Sequence, residues 1–291
     1  MARPVRTATP PDRAGHVNVG HAGADHTGAG CPGAGRPCAG RPCAGRISAG
    51  QAGSGHGRRP APDAPRTPDS LPPELAARIL LIRPDALVLD KPAGLPVHRG
   101  PRAGDSLEDW LPLLRFGKRH LPQPSHRLDA DTAGCLVLGR TKPALAALGA
   151  LFAAGRAEKT YWAVIYGAPP AAEGTTDAPL RKVSTAAAGW RVEVHPDGQP
   201  ARTAWRTLAA GAGLTLLELR PRTGRTHQLR VHMAHLGCPI LGDPRYGRAA
   251  PGGLHLLARA IALPLDPALG ATAPVPAVLR PGFAAAGWDG A

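Results

Sequence analysis

Hydrophobic residues follow helical or strand spacing only from about residue 71 onward. The clearest helix is predicted from Lys142 to Ala154, and the glycine that follows it, Gly155, is a typical stop. The apolar side of this helix consists of Leu145, Leu148, Leu151 and Phe152. The run 159–166 is rich in β-branched and aromatic residues and predicts a strand. Helices and strands are therefore expected within the same part of the chain.

Weaker patterns predict the remaining elements. Short helices are expected at 75–82, after a capping box at 105–108, and at 226–236. Strands are expected at 86–90, 135–138, 191–195, 202–208, 214–219 and 254–263. The Pro-Asp-Gly sequence at 196–198 predicts a hairpin turn between the strands 191–195 and 202–208. Strands dominate without regular strand–helix alternation, so residues 71–291 are predicted to form one α+β domain rather than a doubly wound sheet.

Residues 1–70 lack this spacing. Through much of 15–55 a unit of the type Gly-Arg-Pro-Cys-Ala recurs every five residues, without a regular large apolar side chain. Because little apolar surface can be buried, the cost of ordering the backbone is not offset, and a disordered low-complexity tail is expected. Its cysteines follow the repeat rather than the spacing of zinc ligands. A further hypothesis is that the tail is not made at all, because the start lies too far upstream.

The charge of the chain points to a polyanionic partner. The sequence has 35 Lys and Arg against 21 Asp and Glu, a formal net charge of +14. Arginine supplies most of the positive charge, and its planar guanidinium donates two hydrogen bonds at once to a phosphate. Nucleic acid is the simplest partner of such a chain. A basic, solvated surface without a partner is the alternative.

Other features of the sequence limit its location. No apolar run approaches the ~18 residues that a membrane span needs, and no hydrophobic signal-peptide core follows the N-terminal arginines. The five cysteines are an odd number, which argues against a secreted disulfide framework. We expect a cytoplasmic protein that does not bind a membrane.

Two segments concentrate polar side chains. The first, 126–134, holds Asp129 and Asp131 and leads directly into the apolar run 135–138. A polar loop that enters a buried strand is a common place for chemistry. The second, 222–232, is an arginine-rich turn followed by the predicted helix at 226–236.

The two segments are chemically complementary. An aspartate in a cleft needs a cationic partner if it is to stay ionised while partly desolvated. Arg225 or Arg230 can supply that charge to Asp129, and a helix that begins at Thr226 would place His227 and Arg230 on one face. An ion pair that only orders the core would produce the same pattern.

Five segments of the chain form motifs in a fixed order: Asp90-Lys91-Pro92-x-Gly94-Leu95, His126-Arg127-Leu128-Asp129-x-x-Thr132-x-Gly134, Lys159-x-Tyr161, the stretch from Arg222 to His232, and Ile240-Leu241-Gly242-Asp243-x-x-Tyr246-Gly247. Taken together, they resemble the motifs of the RluA-type RNA pseudouridine synthases, in the same order. Each motif alone is moderately specific, but five in order over residues 86–247 are very specific. The tail at 1–70 lies outside the resemblance.

The resemblance implies a fold and a set of roles. The fold would be the pseudouridine synthase fold, a mixed, largely antiparallel sheet with flanking helices and a central cleft. Asp129 would be the catalytic aspartate, Tyr161 would stack on the target uracil, and Arg230 would pair with Asp129. Arg127 would take the place of the flipped nucleotide in the RNA stack. Arg225 and His227 are further candidates for RNA contact.

The same resemblance implies the reaction and its partner. The uridine-to-pseudouridine isomerisation needs neither cofactor nor metal, and the partner would be a structured tRNA or rRNA stem-loop bound by a monomer. No S4-like RNA-binding module is expected before the catalytic part. The three histidines at 126, 227 and 232 are expected to support the loops by hydrogen bonds, and Cys135 and Cys238 to fill small apolar spaces.

Two departures from the family pattern and two alternatives accompany this hypothesis. Ala133 stands where relatives usually have serine, and Leu257 where they often have histidine. A non-catalytic protein that binds or helps to fold RNA would share the charge and the cleft. A glycoside hydrolase would use Asp129 and Asp131 as paired carboxylates, although the basic charge suits a sugar substrate poorly.

Overall fold

The computed structural model describes residues 71–99, 105–185 and 189–290 of the chain. The predicted disordered tail therefore lies outside the described residues. Among those that are described, no helix is both long enough and apolar enough to cross a membrane.

One large sheet carries most of the structure. It contains β1 (Ile79–Ile82), β2 (Ala86–Lys91), β3 (Gln123–Pro124), β4 (Ala133–Gly139), β5 (Glu158–Tyr166), β6 (Glu173–Thr176), β9 (Thr203–Gly211), β10 (Leu214–Pro221), β11 (Leu256–Leu263) and β12 (Leu269–Thr272). The strand order is β1-β2-β4-β11-β5-β10-β9-β6, with β12 beside β11 and β3 beside β4. Only the central β4–β11 pairing is parallel. The α+β fold class with a mixed, largely antiparallel sheet is thus confirmed.

The remaining elements are a separate strand pair and short helices. The strands β7 (Leu180–Thr185) and β8 (Gly189–Val194) pair with each other in antiparallel fashion. The α-helices are α1 (Pro73–Ala76), α2 (Lys142–Ala153), α3 (Gln228–His235) and α4 (Arg280–Ala285). Short 3₁₀ turns lie at Leu107–Asp109, Leu113–Arg115 and Ala277–Leu279.

The core lies on both faces of the central strands. Every residue of β2 and of β4 is buried. Alternate residues of the two strands belong to different core clusters, so Leu87 and Leu136 pack on one face while Val88 and Val137 pack on the other. A strand covered on both faces reads as a continuous apolar run, which explains the run at 135–138. The polar loop at 126–132 therefore leads into a strand that is buried along its whole length.

The helix predicted at 75–82 is wrong. Only Pro73–Ala76 is helical, and Ile79–Ile82 forms β1 at the edge of the sheet against β2. A short apolar run such as Ile-Leu-Leu-Ile fits a helix or a strand equally well by periodicity. Pairing with β2 decides in favour of the strand.

The hairpin predicted around 196–198 is also wrong, although a turn is present there. The Gly198 N–H donates to the His195 carbonyl at 2.8 Å, but β8 pairs with β7, and β9 pairs with β10 and β6. The partner of β9 follows it through a two-residue turn, Ala212-Gly213, in which both residues have positive φ, at 49° and 72°. Such a tight turn matches the twist of the strands and closes a more local hairpin.

Helix boundaries were predicted with mixed success. The helix from Lys142 is confirmed, ending at Ala153. The capping box lies one residue later than expected, between Ser106 and Asp109. The helix predicted from Thr226 begins instead at Gln228, because His227 adopts a left-handed conformation at φ 54°. His227 and Arg230 therefore do not share a helical face as expected.

Candidate active site

The two polar segments meet in a cleft of about 450 Å³. Its walls come from the loop before β4, the beginning of β5, the turn after β10 and the first turn of α3. All six residues proposed from the sequence line it: Arg127, Asp129, Tyr161, Arg225, His227 and Arg230. Asp129 is the single carboxylate in this lining, and it faces five Arg and Lys side chains.

Backbone hydrogen bonds hold the Asp129 loop in shape. The Thr132 N–H donates to the Asp129 carbonyl at 3.1 Å, and the Gly94 N–H donates to the Ala130 carbonyl at 2.9 Å. The first motif, which contains Gly94, therefore lies directly against the aspartate loop. These bonds fix the backbone on both sides of the carboxylate.

The side chain of Lys91 also holds this loop by hydrogen bonds. Its side chain is fully buried, and its ammonium donates to the carbonyls of Pro92, Leu95 and Ala130 at 2.8–2.9 Å. Burial lowers the pKa of Lys91 to about 8, while the nearby carboxylates, Asp131 and Asp129 first, oppose that shift. Lys91 thus joins the first motif to the Asp129 loop and adds positive charge close to it.

Gly134 allows β4 to approach β11. It has φ +107°, and a Cβ built on it would lie 2.3 Å from the Ala258 carbonyl oxygen. Any side chain at this position would push the only parallel strand pair apart. The glycine of the aspartate motif therefore serves the packing of the strand that follows the loop.

The electrostatic partners of Asp129 differ from the expected one. The Arg127 Nη2 atom lies 3.5 Å from Oδ1 of Asp129, and the His227 Nε2 atom lies 4.0 Å from Oδ2. Arg230, the expected partner, makes no ion pair with Asp129 within 4.0 Å among the described residues, although the charge of Asp129 still acts on its guanidinium. The carboxylate is only partly exposed, at 18 % of its side-chain area, so these neighbours act at reduced solvent screening.

Arg230 instead forms a buried, bidentate ion pair with Asp243. Its Nε and Nη2 atoms both lie 2.7 Å from the Asp243 carboxylate oxygens. Burial alone would raise the pKa of Asp243, but the hydrogen bonds and charge of Arg230 outweigh it and hold that pKa below its usual value. The remaining nitrogen, Nη1, lies 3.6 Å from Asp131. Because Asp243 occupies one edge of the planar guanidinium and Asp131 lies nearest the remaining nitrogen, Arg230 makes no direct ion pair with Asp129.

His227 is fixed by its neighbour Tyr246. Its Nδ1 atom lies 2.8 Å from the Tyr246 hydroxyl, which itself accepts from the Val192 N–H at 3.1 Å. The hydroxyl hydrogen is therefore free to donate to Nδ1, which leaves the imidazole proton on Nε2, facing Asp129. Burial lowers the pKa of His227 and favours this neutral form, although the Asp129 charge opposes the shift.

Tyr161 places a half-buried ring in the wall of the cleft. The ring packs against apolar residues of two core clusters. Burial, with a smaller contribution from the charge of Asp129, raises the pKa of its hydroxyl above the usual range, so the phenol stays neutral. A neutral aromatic ring near the carboxylate is suited to contact with a flat heterocycle.

The arginine-rich turn is anchored by a residue without a predicted role. Gln228 is buried, and its amide donates to the Arg202 carbonyl and to the Thr203 hydroxyl, both at 3.0 Å. Its carbonyl oxygen accepts from the Thr223 hydroxyl at 2.7 Å and from the Arg225 N–H at 3.1 Å. The Arg225 guanidinium is further held by the Pro200 carbonyl at 3.1 Å.

His126 and His232 act as hydrogen-bonding supports, as predicted, whereas His227 also lines the cleft. His126 accepts the Val137 N–H at 3.0 Å and stacks on Phe152, with ring centroids 4.4 Å apart. Burial lowers its pKa to about 4, so it is neutral at physiological pH. His232 is fully buried between the Thr203 hydroxyl at 2.9 Å and the Ala178 carbonyl at 3.0 Å.

The two cysteines of the described part, Cys135 and Cys238, are buried and free, as expected for apolar fillers. Over residues 71–99, 105–185 and 189–290, no cluster of three or more His, Cys, Asp or Glu suits a metal ion.

Three functional supports were missed by sequence reasoning: Lys91, Gln228 and Asp243. All three lie inside motifs that the sequence had singled out, but nothing in their spacing gave their partners. The only signal available was chemical, because a polar or charged side chain must find a partner when it is buried.

Comparison with known proteins identifies the family. The family model described as RNA pseudouridylate synthase matches residues 85–235. The chain is 47 % identical over 176 residues to an uncharacterized RNA pseudouridine synthase of Zymomonas mobilis, which covers 60 % of this chain and 80 % of the relative. It is 40 % identical over 183 residues to the ribosomal large subunit pseudouridine synthase D of Xanthomonas campestris, which covers 61 % of this chain and 54 % of that relative.

A solved structure agrees with the sequence relatives. Human RNA pseudouridylate synthase domain containing 4 superposes with a TM-score of 0.62 at 30 % identity, covering 72 % of this chain and 93 % of that one. The mixed sheet, with a basic cleft whose lining holds one carboxylate, is thus the scaffold of an RNA-modifying isomerase. The chain belongs to the RNA pseudouridylate synthase family. The non-catalytic alternative has no support among these relatives.

Proposed function

We propose that this chain converts a uridine of a tRNA or rRNA stem-loop into pseudouridine, with Asp129 as the catalytic residue. The observation that carries the proposal is the placement of Asp129 as the only carboxylate in a cleft lined by five Arg and Lys side chains. The basic lining suits the phosphates of RNA, and the carboxylate suits the chemistry at the sugar. Residues 71–291 form the catalytic domain in this proposal, acting as a monomer in the cytoplasm.

The chemical steps of the reaction require one ionised carboxylate from the protein. The N1–C1′ bond of the uridine breaks, the uracil turns, and a C5–C1′ bond forms. The proton lost from C5 is balanced by a proton gained at N1, so nothing is oxidised and no group is added. Asp129 serves either as the nucleophile at C1′ or as the base that removes a ribose proton, since both need the same ionised carboxylate.

The neighbours of Asp129 then take separate roles. The target base must leave its stack to reach the cleft, and the ring of Tyr161 stacks against the extruded uracil. Arg127 lies at the cleft mouth with its side chain 61 % exposed, which suits a residue that fills the vacated place in the RNA. His227 holds its Nε2 proton toward Asp129, and Arg225 contacts phosphate. Arg230 supports the cleft through Asp243 rather than through Asp129.

The glycoside hydrolase alternative is weaker on the same geometry. Asp131 is 56 % exposed, lies 3.6 Å from Arg230, and is not part of the cleft lining. A second carboxylate facing the first across a sugar is needed for glycoside hydrolysis. Asp131 does not stand in that place.

The test is to map pseudouridine in RNA treated with the purified full chain. Total RNA from cells that lack the gene is incubated with the protein, and pseudouridine is then mapped chemically and compared with RNA from cells that have the gene. We expect the protein to restore one or a few sites missing from the deficient cells. Untreated and treated RNA with the same pseudouridine map would contradict the proposal.

A further inference from the structure

An exposed tryptophan stands beside the cleft without a role in the site described above. Trp190 on β8 is 37 % exposed, one of three large hydrophobic side chains with this degree of exposure in the described part of the chain. Its ring centroid lies 5.1 Å from that of His227, and the His227 Nε2 atom lies 4.0 Å from Asp129. A single side chain therefore separates the indole from the catalytic carboxylate.

The strand register explains how Trp190 comes to face the site. In the β7–β8 pair, Lys182 lies opposite Val192 and Ser184 lies opposite Trp190. Residues directly opposite or two apart share one face of a strand pair, so Lys182, Trp190 and Val192 point the same way. Val192 packs beside Val231 of α3, which turns this face toward the cleft. We call it the inner face.

Hydrogen bonds also connect the strand pair to the loop that follows α3. The Val192 N–H donates to the Tyr246 hydroxyl at 3.1 Å, and the Arg245 Nη1 atom donates to the Trp190 carbonyl at 2.7 Å. The loop after α3 thus positions the indole and also holds His227 and Arg230 by hydrogen bonds.

Two cations lie over the indole without an acidic partner. The Lys182 ammonium is 4.7 Å and the Arg245 guanidinium carbon is 4.6 Å from the ring centroid. In the described part of the chain, no carboxylate comes within salt-bridge distance of either side chain. The opposite face differs, because Arg181 and Arg191 both contact Glu193 there, at 3.2 and 3.1 Å. Positive charge is therefore left free only on the face that holds Trp190.

A second basic cavity connects this face with the cleft. It has a volume of about 600 Å³, and Arg127 and Arg225 line both spaces. On its far side it is lined by Arg181 and Lys182, with Asp197 as its one carboxylate. A polyanion that lies in the cleft thus meets further positive charge in the direction of Trp190.

We propose that Trp190, Lys182 and Arg245 bind an unpaired nucleotide of the RNA that neighbours the target uridine. The base stacks on the indole, the exposed Lys182 side chain moves from the ring to a phosphate, and Arg245 stays anchored at the Trp190 carbonyl. Stacking on an aromatic ring accepts every base, so the site selects for an unpaired nucleotide rather than for a sequence. This inference rests on the proposed function, since it assumes an RNA substrate in the cleft.

The experiment compares Trp190→Ala, Trp190→Phe and Arg245→Ala with the wild type. Arg248→Ala is the matched control, because Arg248 also lies over an aromatic ring, Tyr166 at 4.0 Å, but is not one of the two cations over Trp190. The probe is a fluorescein-labelled oligouridylate, and its affinity is measured by anisotropy at several salt concentrations. Circular dichroism confirms that each variant is folded.

Trp190→Ala is expected to weaken binding about 5- to 100-fold, the range that stacking supplies, while Trp190→Phe stays within about threefold. Arg245→Ala is expected to weaken binding and lower the salt slope by about one. Arg248→Ala should bind like the wild type. The probe should quench tryptophan emission of the wild type and leave that of Trp190→Phe nearly unchanged. Equal affinity of Trp190→Ala and Arg248→Ala, or equal quenching in Trp190→Phe, would overturn the inference.

A second assay separates this inference from the proposed function. Pseudouridine formation in total RNA from gene-deficient cells is measured with the wild type and with Trp190→Ala. Absence of product with the wild type contradicts the proposed function itself. The nucleotide site is supported if the wild type forms product and Trp190→Ala raises KM by a larger factor than it lowers kcat. Product with an unchanged KM for this variant refutes the site and leaves the function intact.

Discussion

At the scale of single residues, the site is a set of buried polar groups that each have a partner. Arg230 is the residue whose role changed most, because it pairs with Asp243 and not with Asp129. The sequence showed that an arginine and an aspartate would meet, but not which aspartate. The answer depends on how the chain after α3 folds back onto it, and no local pattern encodes that path.

Arg230 therefore yields a prediction about stability. Arg230→Ala leaves the fully buried Asp243 carboxylate without its cation and is expected to cost about 3–5 kcal/mol in the free energy of unfolding. The double variant Arg230→Met, Asp243→Asn should recover part of that loss, because neither charge then remains buried and the asparagine oxygen can still accept from the Arg245 and Tyr246 N–H groups. Urea unfolding followed by circular dichroism measures both.

Asp131→Asn is the control for this pair. It removes the exposed contact with Arg230 at 3.6 Å and the charge of Asp131 near Lys91, and should cost clearly less than Arg230→Ala, about 1 kcal/mol. A loss of the same size in Asp131→Asn and in Arg230→Ala would show that the exposed carboxylate, and not Asp243, is the partner that matters.

At the scale of elements, the strands with long apolar or β-branched runs were predictable and the short ones were not. The runs at 135–138 and 159–166 became the centres of β4 and β5. β1 was mistaken for a helix, and β3, β6, β7 and β12 were not predicted, since strands of two to six residues carry few alternating positions. The failed hairpin at 196–198 shows the same limit, because a turn sequence does not say which strands will pair.

The approach of β4 to β11 gives a prediction at this scale. Gly134→Ala combines a positive φ with a Cβ 2.3 Å from the Ala258 carbonyl oxygen, whereas Gly94→Ala has φ +86° and nothing within 4 Å. Positive φ alone costs an alanine about 1–2 kcal/mol, so Gly94→Ala should lose about that much. Gly134→Ala should lose clearly more, because backbone must move in the central strand pair. Thermal unfolding of the two variants separates strain from steric clash, and equal losses would contradict the close approach.

At the scale of the whole molecule, the order of the motifs predicted the fold correctly. Asp129 and the arginine-rich segment 222–232 are far apart in the sequence. The sheet brings them together in one cleft. What the sequence could not show is the β7–β8 pair beside that cleft, because its position depends on contacts with α3 and Tyr246. The surface that carries Trp190 therefore became visible only in three dimensions.

Buried neutral histidines make the stability of the whole domain depend on pH. The pKa of His126 is lowered to about 4 by burial, and those of His227, His232 and His255 are lowered for the same reason. Unfolded histidine takes up a proton below pH ~6.5, whereas folded His126 stays neutral until pH ~4, so the unfolded state binds more protons in this window. The contribution of these histidines to the free energy of unfolding should therefore be fully present above pH ~6.5. It should be lost as the pH is lowered toward ~4.

His126→Gln tests this pH dependence. The glutamine oxygen can still accept the Val137 N–H but does not titrate. Between pH ~7 and ~4 the wild type should lose up to about 3 kcal/mol more than the variant, measured as the free energy of unfolding in urea. Parallel curves for the two proteins would show that His126 is not held neutral by the fold.

The central claim is that Asp129 performs the chemistry, and one paired measurement tests it most directly. Asp129→Asn and Asp131→Asn are purified with the wild type and incubated with total RNA from gene-deficient cells, and pseudouridine is quantified at the sites that the wild type restores. We expect Asp129→Asn to bind this RNA but form no product, because the amide is neither a nucleophile nor a base. Asp131→Asn should retain most of the activity, since its carboxylate lies outside the cleft lining. Product formation by Asp129→Asn at the rate of the wild type would contradict the account.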